Sequence, residues 1–449
     1  MTLSITVGAI DENKKFAKIK CYINTTHLCD LDFNFKAIRK LYHHYSNPIS
    51  LDFLFFTSII YVVDKAISRY KTKDRWTRDL HLTMPVSQPE LWTELKLQLE
   101  SCLAFLTGDN WHFNFTLLEN DLCPPGEHHG EDSQEHMSYD AVSLFSGGLD
   151  SLIGVIDYLE TNPEKTLLLA GHYDAHVTGP KSDQNEVFRN LKSTYQDRVD
   201  FVQVRVGQNP GGKELTFRSR SLLFLGIGIF VANNIGNEVP LLIPENGVIA
   251  LNVPLTPSRR GSCSTRTAHP YYLQALQGIL QHLGMNNVIS NPLKYYTKGE
   301  ALLNCKNQPL IKEISMLTVS CGKRKHNRNW TNRNAKHCGV CIPCIYRRAS
   351  LHKLEMDQEI YGLDFCSNNF NIESELQTPG DIRAYLSFIK KDYTEEQIAK
   401  LLISNGKIAV QELNGYAHLI KRSMDEVRQL IRDEGSTRLQ RLAGLISEG

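Results

Sequence analysis

Hydrophobic and polar positions divide the chain into stretches of different texture. Up to about residue 121, short alternating segments at Leu3 to Ile10, Ala17 to Ile23 and Leu80 to Met84 predict strands with one buried face. Two longer periodic runs, Leu51 to Ser68 and Glu90 to Leu106, predict helices. From Tyr139 onward, apolar runs of strand length alternate with helical stretches. AVSLF precedes a helix that opens after Gly148, TLLLAGHY precedes Asn185 to Tyr195, and VDFVQVRV precedes Ser219 to Asn233. PLLIPEN then precedes Tyr271 to Leu283, and NVIS closes the series. Apolar strands alternating with amphipathic helices predict an α/β domain built on a doubly wound parallel sheet. Beyond about Asn371 the pattern is helical, with Thr394-x-x-Gln397 and Ser423-x-x-Glu426 reading as capping boxes ahead of apolar runs.

A length of 449 residues accommodates two or three domains. The segment CPPGEHHGEDSQEHMS, residues 123 to 138, is poor in apolar residues and reads as a linker, its histidines His128, His129 and His136 included. The expected division is an α+β region at 1–121, a linker at 122–138, the sheet domain at 139–370 and a helical region at 371–449. A net charge of +1 gives no global electrostatic reason for a nucleic-acid or membrane partner. The longest apolar runs, near Asp52 to Val63 and at Leu222 to Ala232, fall short of the about 20 residues a membrane span needs. The N-terminus has no basic segment followed by an apolar one, so the expected location is the cytoplasm. There the 11 cysteines stay reduced, and close spacing among them reads as metal binding.

Candidate chemistry concentrates in two places. SGGLDS, Ser146 to Ser151, lies between the strand AVSLF and the helical run LIGVIDYL. Gly147 and Gly148 permit a tight turn and a close backbone approach, and the following helix offers free N–H groups and its positive dipole end. Ser146 and Ser151 add hydroxyl donors, so the segment forms an anion cradle. Asp150 is out of place beside a bare phosphate unless it holds Mg²⁺ or orients a donor. No lysine follows the glycines, which excludes the phosphate loop of kinases and GTPases. The second place is Cys338-Gly-Val-Cys341-Ile-Pro-Cys344 with Cys321 upstream, four thiols suited to a closed, structural Zn²⁺ site, with an iron–sulfur cluster as the competing occupant. Cys21, Cys29, Cys102, Cys123, Cys263, Cys305 and Cys366 are scattered and read as buried or incidental. Glu245 and Asn246 end a strand, where ligands of open parallel sheets bind.

SGGLDS is similar to the PP-loop of ATP pyrophosphatases, and with the cysteine loop in this order the stretch Tyr139 to Leu351 resembles the 7-cyano-7-deazaguanine synthase (QueC) family. YTKGEAL with Lys298 and Glu300, the pair Ser320-Cys321, Arg347 after the last cysteine, and Arg220 at a helix start carry the likeness further; Ser221 stands where the family has Asn. The resemblance implies ATP and Mg²⁺ as well as Zn²⁺, with cleavage between the α and β phosphates. Ser146, Gly147, Gly148, Asp150, Ser151 and Arg347 would hold the nucleotide, and Asp150, Lys298 and Arg220 would serve the chemistry. The implied reaction is adenylation of a carboxylate such as 7-carboxy-7-deazaguanine, followed by amide or nitrile formation.

The chain departs from that pattern in three respects. PENGVIALNVPLTPSRRGSCSTRTAHP replaces the segment that reads the deazapurine, so Glu245, Asn246, Arg260, Arg266 and His269 are the candidate substrate residues, with Arg259 beside them. The insertion GKRKHNRNWTNRNAK, with six Lys/Arg and Trp330, separates Cys321 from Cys338 and hints at an anionic partner. Ordinary members also lack the N-terminal region and the helical tail. The enlarged form resembles the QueC-like proteins of bacterial anti-phage defence, the QatC group, which act beside protein partners from the same operon. That implies an amine of a partner protein as acceptor of the activated acyl group. The competing readings are a PP-loop enzyme modifying tRNA or nucleotides and a non-catalytic ATP-binding scaffold.

Overall fold

Ten strands form one sheet in the order β10-β9-β6-β7-β8-β3-β2-β1-β4-β5 in the computed structural model, which describes residues 1–42, 46–124, 138–177, 179–214, 216, 218–256, 266–324, 327–374 and 380–447. Its parallel half consists of β6 (Ala141–Leu144), β7 (Leu167–Tyr173), β8 (Val199–Asn209), β9 (Leu241–Leu242) and β10 (Ile289–Ser290). The other half holds β1 (Thr2–Asp11), β2 (Phe16–Ile23), β3 (Thr26–Asn34), β4 (Asp79–Val86) and β5 (Asn110–Leu117). Here β1, β2 and β3 run antiparallel, while β4 and β5 continue parallel to β1. The architecture is therefore mixed α/β with a mostly parallel sheet.

The sheet does not break at the expected boundary near residue 121. Strand β8 is long enough to pair parallel with β7 and antiparallel with β3, placing Asp30 to Asn34 opposite Asn209 to Arg205. The expected linker falls mostly outside the described residues, and His128, His129 and His136 fall entirely outside them.

Alternation along the central strands buries both faces. Val142, Leu168, Ala170 and Val204 point to a core shared with α1 (Pro48–Ala66) and α6 (Arg220–Ile235). Ala141, Leu167, Leu169 and Val199 point to a second core with α4 (Leu149–Thr161) and α5 (Pro180–Tyr195). This two-sided burial explains why the strands read as continuous apolar runs. In α1 the whole of Ile49 to Ala66 is buried, which accounts for apolar residues on every face of the helix, with Asp52, Asp64 and Lys65 buried among them. Helices α1 and α6 touch closely at Gly226, where an added Cβ would sit 2.0 Å from Thr57 Oγ1.

The predicted helix at 90–106 is divided at Leu95 into α2 (Pro89–Glu94) and α3 (Lys96–Thr107). Helices α7 (Gly247–Leu251), α8 (Pro270–His282), α9 (Lys298–Leu303), α10 (Gln308–Ile314) and α11 (Ile342–His352) complete the central part. The C-terminal region is helical as expected: α12 (Gly380–Lys390), α13 (Glu395–Asn405), α14 (Val410–Glu434) and α15 (Thr437–Leu442). Thr394 and Gln397 form the anticipated capping box of α13. Ser423 caps nothing; it is buried in the middle of the 25-residue α14, whose apolar stripe runs on without interruption.

Candidate functional site

In the parallel half, β6 leads through β7 to β8 on one side and stands beside β9 and β10 on the other. Its C-terminal end is therefore the point where the strand order reverses, the position at which open α/β sheets form a ligand crevice. Ser146 to Ser151 leave β6 at this point. Gly147 has φ +77°, and a Cβ there would lie 3.2 Å from the Gln184 backbone, so both conformation and space call for glycine. Gly148 is the residue before α4. Ser146 Oγ accepts from the Gly148 N–H at 3.2 Å and lies 3.3 Å from Ser151 Oγ.

Segments distant in sequence complete the site. Lys298 Nζ donates to Asp150 Oδ2 at 2.7 Å, and Asn246 Nδ2 donates to the same oxygen at 2.9 Å. Both donors are buried. Asp150 Oδ1 is buried and has no donor among the described residues. Glu245 lies against it: desolvation, then the Asp150 charge, push the Glu245 carboxyl up to about 8, with Lys298 pulling the other way. Two carboxyls and one ammonium thus meet at the crevice, an arrangement in which Glu245 keeps its proton or a cation takes the proton's place.

Lys298 is the first residue of α9, held by a Thr297–Glu300 capping box. The C-terminal region braces it, since Thr297 Oγ1 donates to Glu426 Oε1 at 2.6 Å and Arg422 Nε donates to Glu300 Oε1 at 2.6 Å. The helical tail therefore fixes the helix start that presents Lys298.

Arg220 opens α6 after β8 and is half-buried, with its guanidinium over the Phe224 ring. Among the described residues no hydrogen bond holds it. Burial lowers its pKa, against the pull of Tyr61 and Asp174. Tyr61 donates from α1 to Asp174 Oδ2 at 3.2 Å. Nearby His172 is driven down to about 3 by burial and then by Arg220, so it stays neutral.

The N-terminal region positions the start of α6. Asp64 accepts from Ser219 Oγ at 2.6 Å and from Arg69 Nη2 at 2.8 Å; Asp109 accepts from Arg78 Nη2 at 2.7 Å and Arg69 Nη1 at 2.5 Å. Burial alone would raise the Asp64 carboxyl, but Arg78 and Arg69 bring it below its usual range. Removing one member of such a buried network leaves charges uncompensated. Asp64→Ala is expected to cost about 3–5 kcal/mol, read as a lowered urea midpoint with an unchanged slope.

Not every candidate residue reaches the crevice residues. Arg347 is fully buried, and its guanidinium donates to Thr318 Oγ1 at 2.7 Å, Ser315 O at 3.0 Å and Glu359. It supports the cradle at one remove: Glu359 pairs with His337 Nδ1, and His337 Nε2 accepts from the Ser320 N–H at 3.1 Å. The Ser320 hydroxyl in turn accepts from the Leu149 N–H at 3.4 Å. His269 is buried as the cap of α8, accepting from Tyr271 N. Arg266 stacks on Phe105 and donates to its carbonyl at 2.8 Å. Both therefore serve packing between α3 and α8 in this structure. Arg260 and its neighbour Arg259 lie outside the described residues.

The Sγ atoms of Cys321, Cys338, Cys341 and Cys344 all lie within 4.8 Å of one another. Tetrahedral Zn²⁺ with Zn–S near 2.3 Å requires S···S of about 3.8 Å, and Cys338 and Cys344 are already 3.7 Å apart. Backbone N–H groups of Lys323, Cys338 and Cys341 point at these sulfurs at 3.2–3.3 Å, as expected around thiolates that bind a metal. The group can hold a metal such as zinc. In the insertion between Cys321 and Cys338, Trp330 is buried, and Lys323, Arg324 and Lys336 pair with Asp381, Asp183 and Glu186.

Residues that sequence reasoning missed include Asp174 and Tyr61. Asp174 follows a parallel strand, so the rule that singled out Glu245 would have found it; Tyr61 sits in a helix remote in sequence and carried no signal. Comparison with protein-family models, curated proteins and solved structures finds no match to this chain. Among the described residues, no helix is long and apolar enough to cross a membrane.

Proposed function

We propose that the protein is a QueC-like ligase of the PP-loop ATP pyrophosphatase type, which adenylates a carboxylate such as 7-carboxy-7-deazaguanine. The observation that carries this reading is the meeting of the Ser146–Ser151 cradle with Lys298, Asp150 and Glu245 at the strand-order reversal of the sheet.

The cradle N–H and hydroxyl groups receive the β- and γ-phosphates of ATP. A substrate carboxylate oxygen attacks the α-phosphorus, the bond to the bridging oxygen breaks, and pyrophosphate departs into the cradle. Lys298 and Arg220 supply positive charge beside the α-phosphate as negative charge develops there. Asp150 Oδ1, buried without a donor, and the adjoining Glu245 carboxyl fit Mg²⁺. When bound, that ion neutralises phosphate charge. An amine then displaces AMP from the acyl adenylate, forming an amide; ammonia or an amine of a partner protein can fill this role. The enlarged form fits a setting in bacterial anti-phage defence with such a partner. A nucleic-acid contact through the cysteine-loop insertion is less well supported, since Trp330 is buried and half of the six cations are paired.

The test is incubation with ATP, Mg²⁺ and 7-carboxy-7-deazaguanine, with and without ammonia or a co-expressed partner, and with Asp150→Ala as blank. AMP and pyrophosphate appearing only with the deazapurine is the expected result, and the product mass identifies the acceptor. ADP as product, or no turnover in any combination, would overturn the proposal.

A further inference from the structure

At the edge of the sheet farthest from β10, three potential metal ligands converge on one solvent face. In the parallel pairing of β4 with β5, His81 stands directly opposite His112, and Asp79 lies two residues before His81 on the same face. The two imidazole rings stack with centroids 4.5 Å apart and planes 26° from parallel. Both Nε2 atoms face the one carboxylate: His81 Nε2 is 3.3 Å from Asp79 Oδ2, and His112 Nε2 is 3.1 Å from Asp79 Oδ1. One ligand atom from each residue lies within 4.8 Å of the other two. We propose that Asp79, His81 and His112 form a second metal site, for a borderline divalent ion such as Zn²⁺, Co²⁺, Ni²⁺ or Cu²⁺.

The donor set decides the class of ion. Two imidazoles and one carboxylate favour borderline transition ions over Mg²⁺ or Ca²⁺, which prefer oxygen alone. Ligands at about 2.1 Å around a tetrahedral centre place two imidazole nitrogens about 3.4 Å apart, a closing movement that side-chain rotation supplies. All three side chains are exposed, at 59%, 51% and 46% of their full surface, so rotation meets little packing and an ion has direct access. Moving each imidazole proton to Nδ1 frees the Nε2 lone pairs, and the carboxylate offsets half the charge of the ion. Three ligands on one side leave the outer coordination positions to water or to a donor group from another molecule. A bare edge-strand charge guard would need neither the paired rings nor the convergence of both nitrogens on one carboxylate.

The experiment uses the full chain with its cysteine site filled by Zn²⁺ beforehand, followed by titration with Co²⁺ under calorimetric and optical detection. The expected result is one further equivalent, bound in the micromolar range, with ligand-field bands and without the thiolate-to-cobalt charge-transfer band of a cysteine site. His81→Ala and His112→Ala should each weaken it at least about tenfold. His27→Ala, at another exposed His–Asp pair (2.8 Å), should leave it unchanged. No further equivalent by about 1 mM Co²⁺, or an isotherm that His112→Ala leaves unaltered, would overturn the assignment.

Discussion

Replacing Lys298 with alanine is expected to lower carboxylate-dependent AMP formation by about 10²–10³-fold, with the fold retained. The ammonium is buried, its helix start is braced by Glu426 and Arg422, and it lies 2.7 Å from the aspartate of the cradle. No other lysine of the described residues is paired with Asp150. Losing the cation leaves Asp150 beside Glu245, whose carboxyl already titrates at about 8, so a proton can stand in for the missing charge and limit the damage to folding. The check is single-turnover release of AMP alongside a thermal melt. A rate within tenfold of the parent protein would remove Lys298 from the proposed chemistry. Lys298→Arg, which keeps the charge but changes its shape and reach, should retain more activity than the alanine variant and remain below the parent.

Loss of the metal from the four-cysteine group is expected to reduce stability by on the order of 5 kcal/mol or more, since binding energy at a closed thiolate site is folding energy. Cys338 and Cys344 are fully buried, and the group belongs to the core shared with α11, α13 and α14. Four thiolates at this separation repel one another without an ion, so the sulfurs would have to take up protons or move apart. The consequence should reach the Ser146–Ser151 loop. Cys321 follows Ser320, whose hydroxyl accepts from Leu149 N, while the Val319 N–H donates to Gly147 O at 3.0 Å. Cys341→Ser, or prolonged chelation, should therefore lower both the melting temperature and the affinity for ATP, with metal content falling from one equivalent toward none. Retention of the melting temperature after verified loss of metal would show that the site is not structural.

Much of the fold was legible because its main signals are local. A strand buried on both faces must be largely apolar, so β6 and β7 declared themselves, β8 showed through the alternation of VDFVQVRV, and the glycines between β6 and α4 marked a tight turn. The thiol spacing likewise pointed to a group able to hold a metal. Strands β3 and β5 were not recognised, although Trp111, Phe113 and Phe115 of β5 alternate with polar residues on its exposed face. Ser423 misled for the complementary reason: a capping signature has the same letters in mid-helix, and only the packing of α14 shows that the serine is interior. Arg266 and His269 show the same ambiguity, because a cation or imidazole in a loop reads alike whether it meets a ligand or stacks on Phe105.

By itself the sequence determined the alternation of strand and helix, the place of the glycine turn after β6 and the identity of four thiols that can hold a metal, since each depends on residues close together along the chain. Tertiary structure alone decided that the N-terminal region extends the same sheet through β3 and β8. It also decided that Asp64 anchors the helix start of Arg220, that α14 holds Lys298 in place, and that Glu245 and Asp150 share one environment. These relations join residues dozens to more than a hundred positions apart. Backbone pairing, burial and charge in three dimensions set them, and no local pattern of residue types records such distances.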